Sequence, residues 1–264
     1  MMEAFSPMPT PVTLPEPWSR SRLSVVVPTY NEADNLPVLV AQLMALELPG
    51  LGLVIVDDNS PDGTGEVADK LAAEHAGRIT VVHRTAKDGL GRAYIAGMTR
   101  ALDDGADFVA QMDADLSHPP AYVPQLLGTL LSTGAGVVIG SRYVPGGSLS
   151  GEWGVRRRLL SGWANTYVKA ILAMPIRDVT AGFKLWRREA LEALDLGSIH
   201  SSGYSFQVEM HFRAYRRGQK MLEIPIHFED RAEGISKMDL AVQVESALRP
   251  FRLRKYEREA HRPG

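Results

Sequence analysis

Short runs of apolar residues recur along the first half of this chain, and each run ends at a polar turn. They occupy residues 23–28, 51–58, 79–84, 108–112 and 136–143. Continuous apolar runs of this length are typical of strands buried on both faces of a sheet. The segments between them carry apolar residues at the spacing of amphipathic helices, about 10 to 15 residues long. Strands that alternate with helices predict right-handed crossovers and a mostly parallel α/β sheet.

The third predicted helix follows the segment KDG. It places four residues on one face: Leu90, Tyr94, Gly97 and Ala101. A further helix is predicted over residues 119–131, directly after the fourth strand, and a helix over residues 64–75 turns Val67, Ala68 and Leu71 inward.

The pattern changes after Pro145. A Gly-rich loop leads to a long helix that ends before Pro175, and an added strand is predicted over residues 180–188. Residues 204–217 are predicted to form a helix and residues 221–230 a strand. This half extends and caps the same sheet, so we predict one domain with two functional parts.

The boundaries follow from these patterns. Residues 1–21 contain five prolines in a segment without apolar periodicity and are expected to be a disordered arm. Residues 22–240 form the domain, with a nucleotide-binding part over 22–143 and an acceptor-binding part over 144–240. Residues 241–264 are expected to form an amphipathic helix and a charged tail.

Composition narrows the class of protein. The 264 residues are 45% hydrophobic and 23% charged, as in ordinary globular proteins. A formal net charge of −2 gives no reason to expect nucleic acid as a partner. The chain has no cysteine, which excludes disulfides and thiolate metal sites and fits a reducing compartment. We expect no signal peptide, and the uncharged residues 119–141 contain too many polar residues and glycines for a membrane helix.

The strongest chemical signal is the segment MDADLSHPP at residues 112–120. Asp113 and Asp115 follow the fourth strand, at the carboxyl end where open α/β sheets bind ligands. Two such carboxylates offer oxygen ligands to a hard divalent cation that substrate phosphates complete. The alternative is a capped turn before the helix that begins near Pro119. His118, beside two prolines, is interpreted as a turn residue.

The first two strands also end in aromatic and acidic residues. Tyr30 and Glu32 follow the first strand, and Asp58 follows the second. An aromatic ring can stack on a base, and a carboxylate can accept from base or ribose donors, so a nucleotide would fit there. For Asn31 and Asp57, a structural role as helix cap or turn former is as well supported as a role in nucleotide binding. The segment PTYNEA lacks the glycines of a dinucleotide-binding fingerprint, and there is no Walker A sequence.

Taken together, the motifs resemble those of one family. They are VVVPTYNEADNLPVLV, VIVDDNSPDGTGEVA, KDGLGRAYIAGM, MDADLSHPP, GSRYVPGG and TAGFKLWRR. The chain resembles the family 2 glycosyltransferases of the GT-A fold from about residue 23 to 237, and specifically the polyprenol (dolichol) phosphate mannose synthases, with the actinobacterial type as one candidate subgroup. The resemblance implies a GT-A, Rossmann-like mixed sheet, mostly parallel and flanked by helices.

The resemblance also assigns roles to residues. It implies that guanosine is held by Pro28, Tyr30, Glu32, Val56 and Asp58. The ribose and diphosphate would lie along Asp113, Ala114 and Asp115, and Arg142 would reach the sugar and phosphates.

The metal would be Mg²⁺ or Mn²⁺, bound by Asp115. Related synthases often carry a glutamine two residues after this aspartate, where this chain has Ser117. Ser117 is therefore expected to be at most a weak ligand, and water or a nucleotide phosphate would fill the gap.

Two basic segments complete the implied site. Arg157 and Ser161 in RRRLLS would bind the acceptor phosphate. Arg231 and Lys237 in RAEGISK would bind the donor diphosphate from a loop that closes over it, and Arg231 would also contact the acceptor. The alternative is a solvated helix start and a surface turn. Adjacent arginines at a helix N-terminus are unfavourable for the helix dipole unless an anion is present, which favours the anion-binding interpretation.

The implied reaction is transfer of mannose from GDP-mannose to a polyprenyl phosphate, inverting and metal-dependent. The product would be a lipid-linked mannose donor for glycolipid and glycoprotein synthesis. The acceptor needs no catalytic base, because a phosphate monoester with a second pKa of about 6 is already anionic. Accordingly, TAGFKLWRR lacks the Glu-Asp pair that related enzymes with sugar acceptors carry there.

We expect a peripheral protein at the cytoplasmic face of the cell membrane, with an integral membrane protein as a potential partner. The basic segment FRLRKYEREAHR would face anionic headgroups, although its glutamates fit a solvated helix equally well. Three alternatives to the implied reaction remain. They are a UDP-glucose or other donor, a non-catalytic scaffold that binds nucleotide sugars, and a nucleotidyltransferase, which the absent glycine-rich first loop disfavours.

Overall fold

The computed structural model describes residues 20–46, 48, 50–150, 155–199, 201, 203–229, 250–251 and 253–254. For residues 155–161 and 204 it describes the backbone but not the side chains. The predictions for residues 1–19 of the arm, for Arg231 and Lys237, and for most of residues 241–264 lie outside this part of the chain.

The strands form one large and one small sheet. They are β1 (Leu23–Thr29), β2 (Leu51–Asp57), β3 (Ile79–His83), β4 (Phe108–Gln111), β5 (Val137–Ser141), β6 (Ser148–Leu149), β7 (Lys184–Arg187), β8 (Met221–Pro225) and β9 (His227–Phe228). Seven of them make a sheet in the order β3-β2-β1-β4-β7-β5-β8, while β6 and β9 pair separately. Only β7 runs antiparallel to its neighbours in the large sheet. The predicted mixed, mostly parallel sheet is confirmed.

Helices cover both faces of the large sheet. They are α1 (Asn35–Met44), α2 (Thr64–Glu74), α3 (Leu90–Asp103), α4 (Val123–Thr133), α5 (Val155–Leu172), α6 (Arg188–Glu192) and α7 (Gly203–Arg216). Buried apolar residues of α1, α2 and α4 pack on one face. Those of α3, α5, α6 and α7 pack on the other. The large sheet is therefore packed between two hydrophobic cores, which fix the positions of its strand ends.

Three local predictions differ from the structure. The added strand is shorter than residues 180–188, because β7 pairs only where β4 and β5 lie beside it. The predicted strand over 221–230 breaks at Ile226, and its end, β9, pairs with β6 inside the Gly-rich loop. Leu90 is exposed rather than buried with Tyr94, because it is the first residue of α3.

Helix α3 packs unusually close to the sheet, and this fixes the distance of Tyr94 from the end of β4. A Cβ atom on Gly97 would lie 2.4 Å from Val26 Cγ1 and 2.7 Å from Val56 Cγ2. Only glycine therefore lets α3 pack at this distance. Tyr94, almost one turn earlier in α3, is consequently held against the sheet near the end of β4.

In the part of the chain that the structure describes, no helix is both long enough and apolar enough to cross a membrane.

Candidate active site

The loops after β1 and β2 are tied together by side-chain hydrogen bonds. The Asn31 N–H donates to Ser60 Oγ at 3.1 Å, and the Glu32 N–H donates to Thr64 Oγ1 at 2.9 Å. The two strands are parallel neighbours, so their carboxyl ends meet at one edge of the sheet. These bonds fix the segment that presents Tyr30 there.

Asp57 organises this turn. Its carboxylate accepts hydrogen bonds from the Ser60 N–H at 3.2 Å and the Ser60 hydroxyl at 2.5 Å. The Thr29 hydroxyl lies 3.3 Å from the same carboxylate, and Asp57 is buried. Asp57 therefore shapes the turn that follows β2, while a contact of Asp57 with a nucleotide stays a prediction.

Asp58 is buried beside Arg84, which was not identified from the sequence. The two side chains form an ion pair, and Arg84 also contacts Asp88 at 3.2 Å. Burial raises the pKa of Asp58 above its ordinary value, and the charge and hydrogen bond of Arg84 oppose that rise. Asp58 thus lies at the predicted nucleotide edge with its charge compensated by a neighbouring arginine.

The ring of Tyr30 lies beneath a lysine. Lys87 Nζ is 3.5 Å from the ring centroid, which is a cation–π contact. A base that stacks on this face of Tyr30 must displace Lys87. The Glu32 carboxylate accepts from Asn35 Nδ2 at 2.8 Å, which orients it at the start of α1.

The remaining residues of the predicted guanosine site are less accessible. Pro28 is buried, and the Val56 side chain is fully buried in the core against α3. The Val56 side chain therefore belongs to the core, and its main-chain oxygen lies 3.3 Å from the Thr29 hydroxyl.

Asp113 stands at the end of β4 with two fixed partners. The Tyr94 hydroxyl donates to Asp113 Oδ1 at 2.6 Å, and the Asp113 N–H donates to His118 Nδ1 at 3.1 Å. Burial and the nearby Asp113 raise the pKa of Tyr94 well above its ordinary value, so the phenol keeps its proton. His118 is buried and stacks on Phe183 at 5.2 Å between ring centroids. It is thus a structural part of this loop.

Asp115 is oriented by Ser117. Its Oδ1 accepts from the Ser117 N–H at 3.1 Å and from the Ser117 hydroxyl at 2.6 Å. Leu116 between them has φ +62°, a backbone strain that is unusual for a branched residue and common at functional sites. Ser117 is fully buried. This geometry gives Ser117 an orienting contact with Asp115, and weak metal ligation by its hydroxyl stays a prediction.

The loop can supply oxygen donors to a hard cation. Asp113 and Asp115 are carboxylates two residues apart, the ligand type that Mg²⁺ prefers, and the Asp113 side chain keeps 24% of its surface exposed. Among the described residues, no three histidines or carboxylates are grouped closely enough to hold a metal ion by themselves. Ala114, between the two aspartates, is buried.

Arg142 lies directly after β5 and forms an ion pair with Asp178. Arg142 Nε and Nη2 donate to the two carboxylate oxygens of Asp178 at 2.8 and 2.7 Å, and Nη2 also donates to Thr180 Oγ1 at 2.8 Å. The side chains of Arg142 and Asp178 are 10% and 0% exposed. The main-chain N–H groups of Arg177 and Asp178 both donate to Glu223 at 2.8 Å. The guanidinium is therefore fixed by a bidentate, buried ion pair.

This pairing also limits what Asp178 can do chemically. Both of its oxygens accept hydrogen bonds from Arg142, and it is fully buried. A general base needs a free lone pair within reach of the proton it removes. Asp178, which stands just before the TAG segment, is thus arranged to hold an arginine and not to deprotonate an acceptor.

Phe228 in β9 connects Arg142 to the aspartate loop. The guanidinium carbon of Arg142 lies 5.3 Å from the Phe228 ring centroid, and the ring meets His118 edge-on at 5.4 Å. The Glu229 N–H donates to Ser117 O at 3.3 Å. The last described residues before 230–249 are therefore tied directly to the loop that carries Asp115.

The predicted acceptor helix is present as α5. Arg157 and Ser161 lie in its first two turns, with side chains outside the described part. Further along α5, Trp163 is 62% exposed and its ring stacks on Tyr167 at 5.3 Å between centroids. Arg254 donates to Ile171 O at 3.0 Å, which brings residues 250–254 beside the end of α5.

The sequence analysis missed three residues of this site. Tyr94 was placed on a helix face but given no role, and Arg84 and Asp178 were not considered. An arginine directly after a buried strand was the available signal for Arg84. Nothing in the local sequence marks Asp178, because its partner Arg142 lies 36 residues earlier in the chain, directly after β5.

An α/β sheet with an antiparallel strand between two parallel ones, and a carboxylate pair at the end of β4, is the arrangement expected of the GT-A fold. The profile of Glycosyl transferase family 2 matches residues 24–195. The chain belongs to this family and is a glycosyltransferase, which confirms the resemblance found in its motifs.

Two relatives and one solved structure are informative. The chain is 46% identical over 217 residues to the polyprenol monophosphomannose synthase of Mycolicibacterium smegmatis, covering 82% of this chain and 81% of that protein. It is 43% identical over 227 residues to the undecaprenyl-phosphate mannosyltransferase of Micrococcus luteus, covering 86% and 91%. A mannosyltransferase from Pyrobaculum calidifontis, solved with GDP-Man and Mn²⁺, has a TM-score of 0.59 at 19% identity and covers 92% of this chain and 66% of that chain. This last likeness supports the fold.

Proposed function

We propose that this glycosyltransferase moves mannose from GDP-mannose to a polyprenyl phosphate, with inversion at the anomeric carbon. The observation that carries the proposal is the identity of 46% and 43% to two enzymes whose names specify mannose and a polyprenol or undecaprenyl phosphate. The product is a lipid-linked mannose that later transferases use for glycolipid and glycoprotein synthesis.

The donor site lies at the ends of β1, β2 and β4. Tyr30 offers a ring for the base, and the buried pair of Asp58 and Arg84 offers hydrogen-bonding groups beside it. The related fold solved with GDP-Man supports a guanine nucleotide. Asp113, Ala114 and Asp115 follow along the ribose and diphosphate in this proposal.

A divalent cation fits the aspartate loop. Asp115 is its proposed protein ligand, held in orientation by Ser117, and donor phosphates supply further oxygens. The cation, Mg²⁺ or Mn²⁺, neutralises charge that develops on the departing GDP. The fold neighbour solved with Mn²⁺ supports such an ion.

The acceptor explains the lack of a catalytic base in this proposal. A phosphate monoester with a second pKa of about 6 is anionic at neutral pH and attacks without deprotonation. The commitment of Asp178 to Arg142 agrees with such an acceptor. Arg142 then orients the sugar and phosphates, which is its proposed role at the edge of the site.

Four residues whose side chains the structure does not describe complete the proposal. Arg157 and Ser161 bind the acceptor phosphate, Lys237 binds the donor diphosphate, and Arg231 contacts both. The hydrogen bond from the Glu229 N–H to Ser117 O shows that the last residue described before Arg231 lies beside the aspartate loop.

The lipid acceptor requires access to a membrane surface. An exposed tryptophan stacked on a tyrosine is the side-chain type that favours the membrane–water interface, and Trp163 and Tyr167 lie on the same helix as Arg157. We therefore place α5 against the cytoplasmic face of the membrane, with peripheral attachment and an integral membrane protein as a potential partner.

The activity is tested by transfer of radiolabelled mannose from GDP-mannose to a polyprenyl phosphate, with and without Mg²⁺ or Mn²⁺. We expect a mannolipid that requires the cation, and loss of at least about 100-fold in turnover for Asp115→Ala. Asp104→Ala, in an exposed helical ion pair far from the strand ends, is the matched control. Full turnover of Asp115→Ala at saturating metal would refute the assignment of the loop.

The same assay separates the competing functions. A glucolipid formed from UDP-glucose in place of the mannolipid identifies the other donor. Binding of GDP-mannose with no lipid product, even when membranes are added, identifies the scaffold. Release of pyrophosphate from a nucleoside triphosphate and a sugar phosphate identifies a nucleotidyltransferase.

Membrane attachment is tested by sedimentation with vesicles that contain anionic lipid. We expect Trp163→Ala to lower the bound fraction several-fold, because an interfacial tryptophan is lost. Tyr215→Ala, an exposed aromatic residue of α7, is the matched control and should bind as the parent does. Equal binding of both variants would contradict a role for α5 at the membrane.

A further inference from the structure

Lys184 is a buried lysine in the middle of the large sheet. It is the first residue of β7 and pairs with Gln111 of β4 on one side and Ile139 of β5 on the other. Its side chain is fully buried, and Nζ donates to Gln207 Oε1 of α7 at 2.8 Å. The amino group therefore lies between the sheet and α7.

Around Lys184 is a buried polar cluster, formed by Gln111, Lys184, Gln207 and His211. Gln111 Nε2 lies 3.4 Å from Gln207 Oε1, and Gln111 Oε1 accepts from Trp186 Nε1 at 2.7 Å. His211 Nδ1 contacts the main-chain oxygen of Val179 at 3.0 Å, while its Nε2 has no hydrogen-bond partner among the described residues. The cluster is thus polar and buried, and one of its ring nitrogens has no partner among the described residues.

The buried polar cluster lies directly behind the aspartate loop. A Cβ atom on Gly182 would lie 3.2 Å from His118 Cε1, 3.5 Å from Asp113 Oδ2 and 3.7 Å from Gln207 Nε2. The partner of Lys184 and the carboxylate of Asp113 therefore border the same small space. Glycine at position 182 leaves that space open.

The charged groups that act on Lys184 are two carboxylates of the candidate active site. Burial lowers the pKa of Lys184 well below its ordinary value, and Asp178 and Asp113 oppose this shift. Asp178 is the carboxylate that pairs with Arg142, and Asp113 is the first carboxylate of the aspartate loop. Lys184 thus lies within electrostatic reach of both parts of the site.

Lys184 is costly for the stability of the fold. Among the described residues, no carboxylate forms a salt bridge with it, so the hydration that its amino group loses on burial is offset only by the hydrogen bond to Gln207 and by the more distant charges of Asp178 and Asp113. Replacing buried charged groups by apolar residues of similar volume is often neutral or stabilising. The packing of β7 therefore gives no reason for an amino group at this position.

We propose that Lys184 is a positioning residue of the donor site, which holds Asp113 in place from behind the sheet before the nucleotide sugar binds. It contacts no substrate itself. The inference deepens the proposed function and relies on the donor binding at the aspartate loop.

The test compares Lys184→Met with the parent in two measurements. The first is the melting temperature without ligand, and the second is binding of GDP with Mn²⁺ by calorimetry. We expect the melting temperature to stay the same or rise by about 2–4 °C. We expect binding to weaken about 10- to 100-fold, as for other residues that orient a ligand-binding group from behind. In the mannose transfer assay, KM for the donor should rise more than kcat falls.

Arg187→Met is the matched control on the same strand. Arg187 donates to main-chain oxygens of Ala135 and Leu130 and does not face the aspartate loop. We expect it to lower the melting temperature and leave GDP binding unchanged. A Lys184→Met variant that binds GDP as tightly as the parent overturns the proposal. Weaker binding with a fall in melting temperature like that of Arg187→Met also overturns it, because the role is then structural.

A second variant keeps the lysine in place. Gln207→Glu gives Nζ a carboxylate partner and draws its charge away from Asp113 and Asp178. We expect a melting temperature at or above that of the parent and weaker GDP binding, and unchanged binding overturns the proposal. If the parent makes no mannolipid but binds GDP or UDP with Mn²⁺, the proposed function fails, while the binding and melting measurements still decide the role of Lys184.

Discussion

Asp178→Asn should destabilise the protein by removing one charge from the buried pair with Arg142. The two charge-assisted hydrogen bonds measure 2.8 and 2.7 Å, and the pair is almost wholly buried. Asparagine keeps one acceptor oxygen but turns an NH₂ group toward the guanidinium, so a bond is lost and a buried positive charge stays uncompensated. Breaking a buried pair in this way costs about 3–5 kcal/mol. We take about 3 kcal/mol, because Arg142 retains some exposure.

Urea denaturation followed by circular dichroism at pH 7 measures this loss. A loss of about 3 kcal/mol corresponds to a fall in melting temperature of about 6–12 °C. The control is Asp104→Asn in the pair with Arg100, whose side chains are 41% and 46% exposed. Exposed pairs contribute about 0.3–0.5 kcal/mol, so the control should change little. A loss below about 1 kcal/mol for Asp178→Asn, or one equal to the control, would refute the reasoning.

Three further predictions follow from the same loops. Ser117→Ala should weaken Mn²⁺ binding in the presence of GDP about 10-fold, because Asp115 loses the hydrogen bond from the Ser117 hydroxyl and keeps only the one from the main-chain N–H. Electron paramagnetic resonance measures this binding, and Ser132→Ala, a change at an exposed helical serine, should have no effect. Gly182→Ala should lower donor affinity, since its Cβ would crowd the space beside Asp113, and unchanged calorimetric affinity would contradict this. Asp62→Asn should be destabilising at neutral pH only. Burial acts to raise the pKa of Asp62, but hydrogen bonds from Thr64 and Ala33 outweigh it, so the pKa is lowered. The ionised carboxylate therefore stabilises the fold above about pH 5, and this stabilisation is lost as pH falls through the lowered pKa. A difference in stability between Asp62→Asn and the parent that persists in acid would contradict this.

The sequence was sufficient for elements that local periodicity defines. The strands β1, β2 and β4 each read as one apolar run, and their ends lie at one edge of the sheet because parallel neighbours share their direction. Asp113 and Tyr30 could therefore be placed at a common edge before any coordinates were known.

Other features depend on contacts between distant segments. Asp178 can pair with Arg142 because β7 lies antiparallel beside β5. No local sequence pattern predicts this order of strands in the sheet. The Val56 side chain is covered by the close approach of α3 at Gly97, a contact between segments about 40 residues apart. The role of Ser117 depends on the left-handed Leu116, a conformation that side-chain type alone does not predict.

The position of β7 also governs when the sheet can be completed during synthesis of the chain. In the large sheet β5 pairs only with β7 and β8, both of which are translated after it. A nascent chain that has emerged only to residue 143 would leave β4 as an open edge and β5 without a neighbour. Unpaired strand edges are exposed to wrong partners, and long-range pairing is slow. We therefore expect this protein to depend on chaperones until the ribosome has passed residue 225.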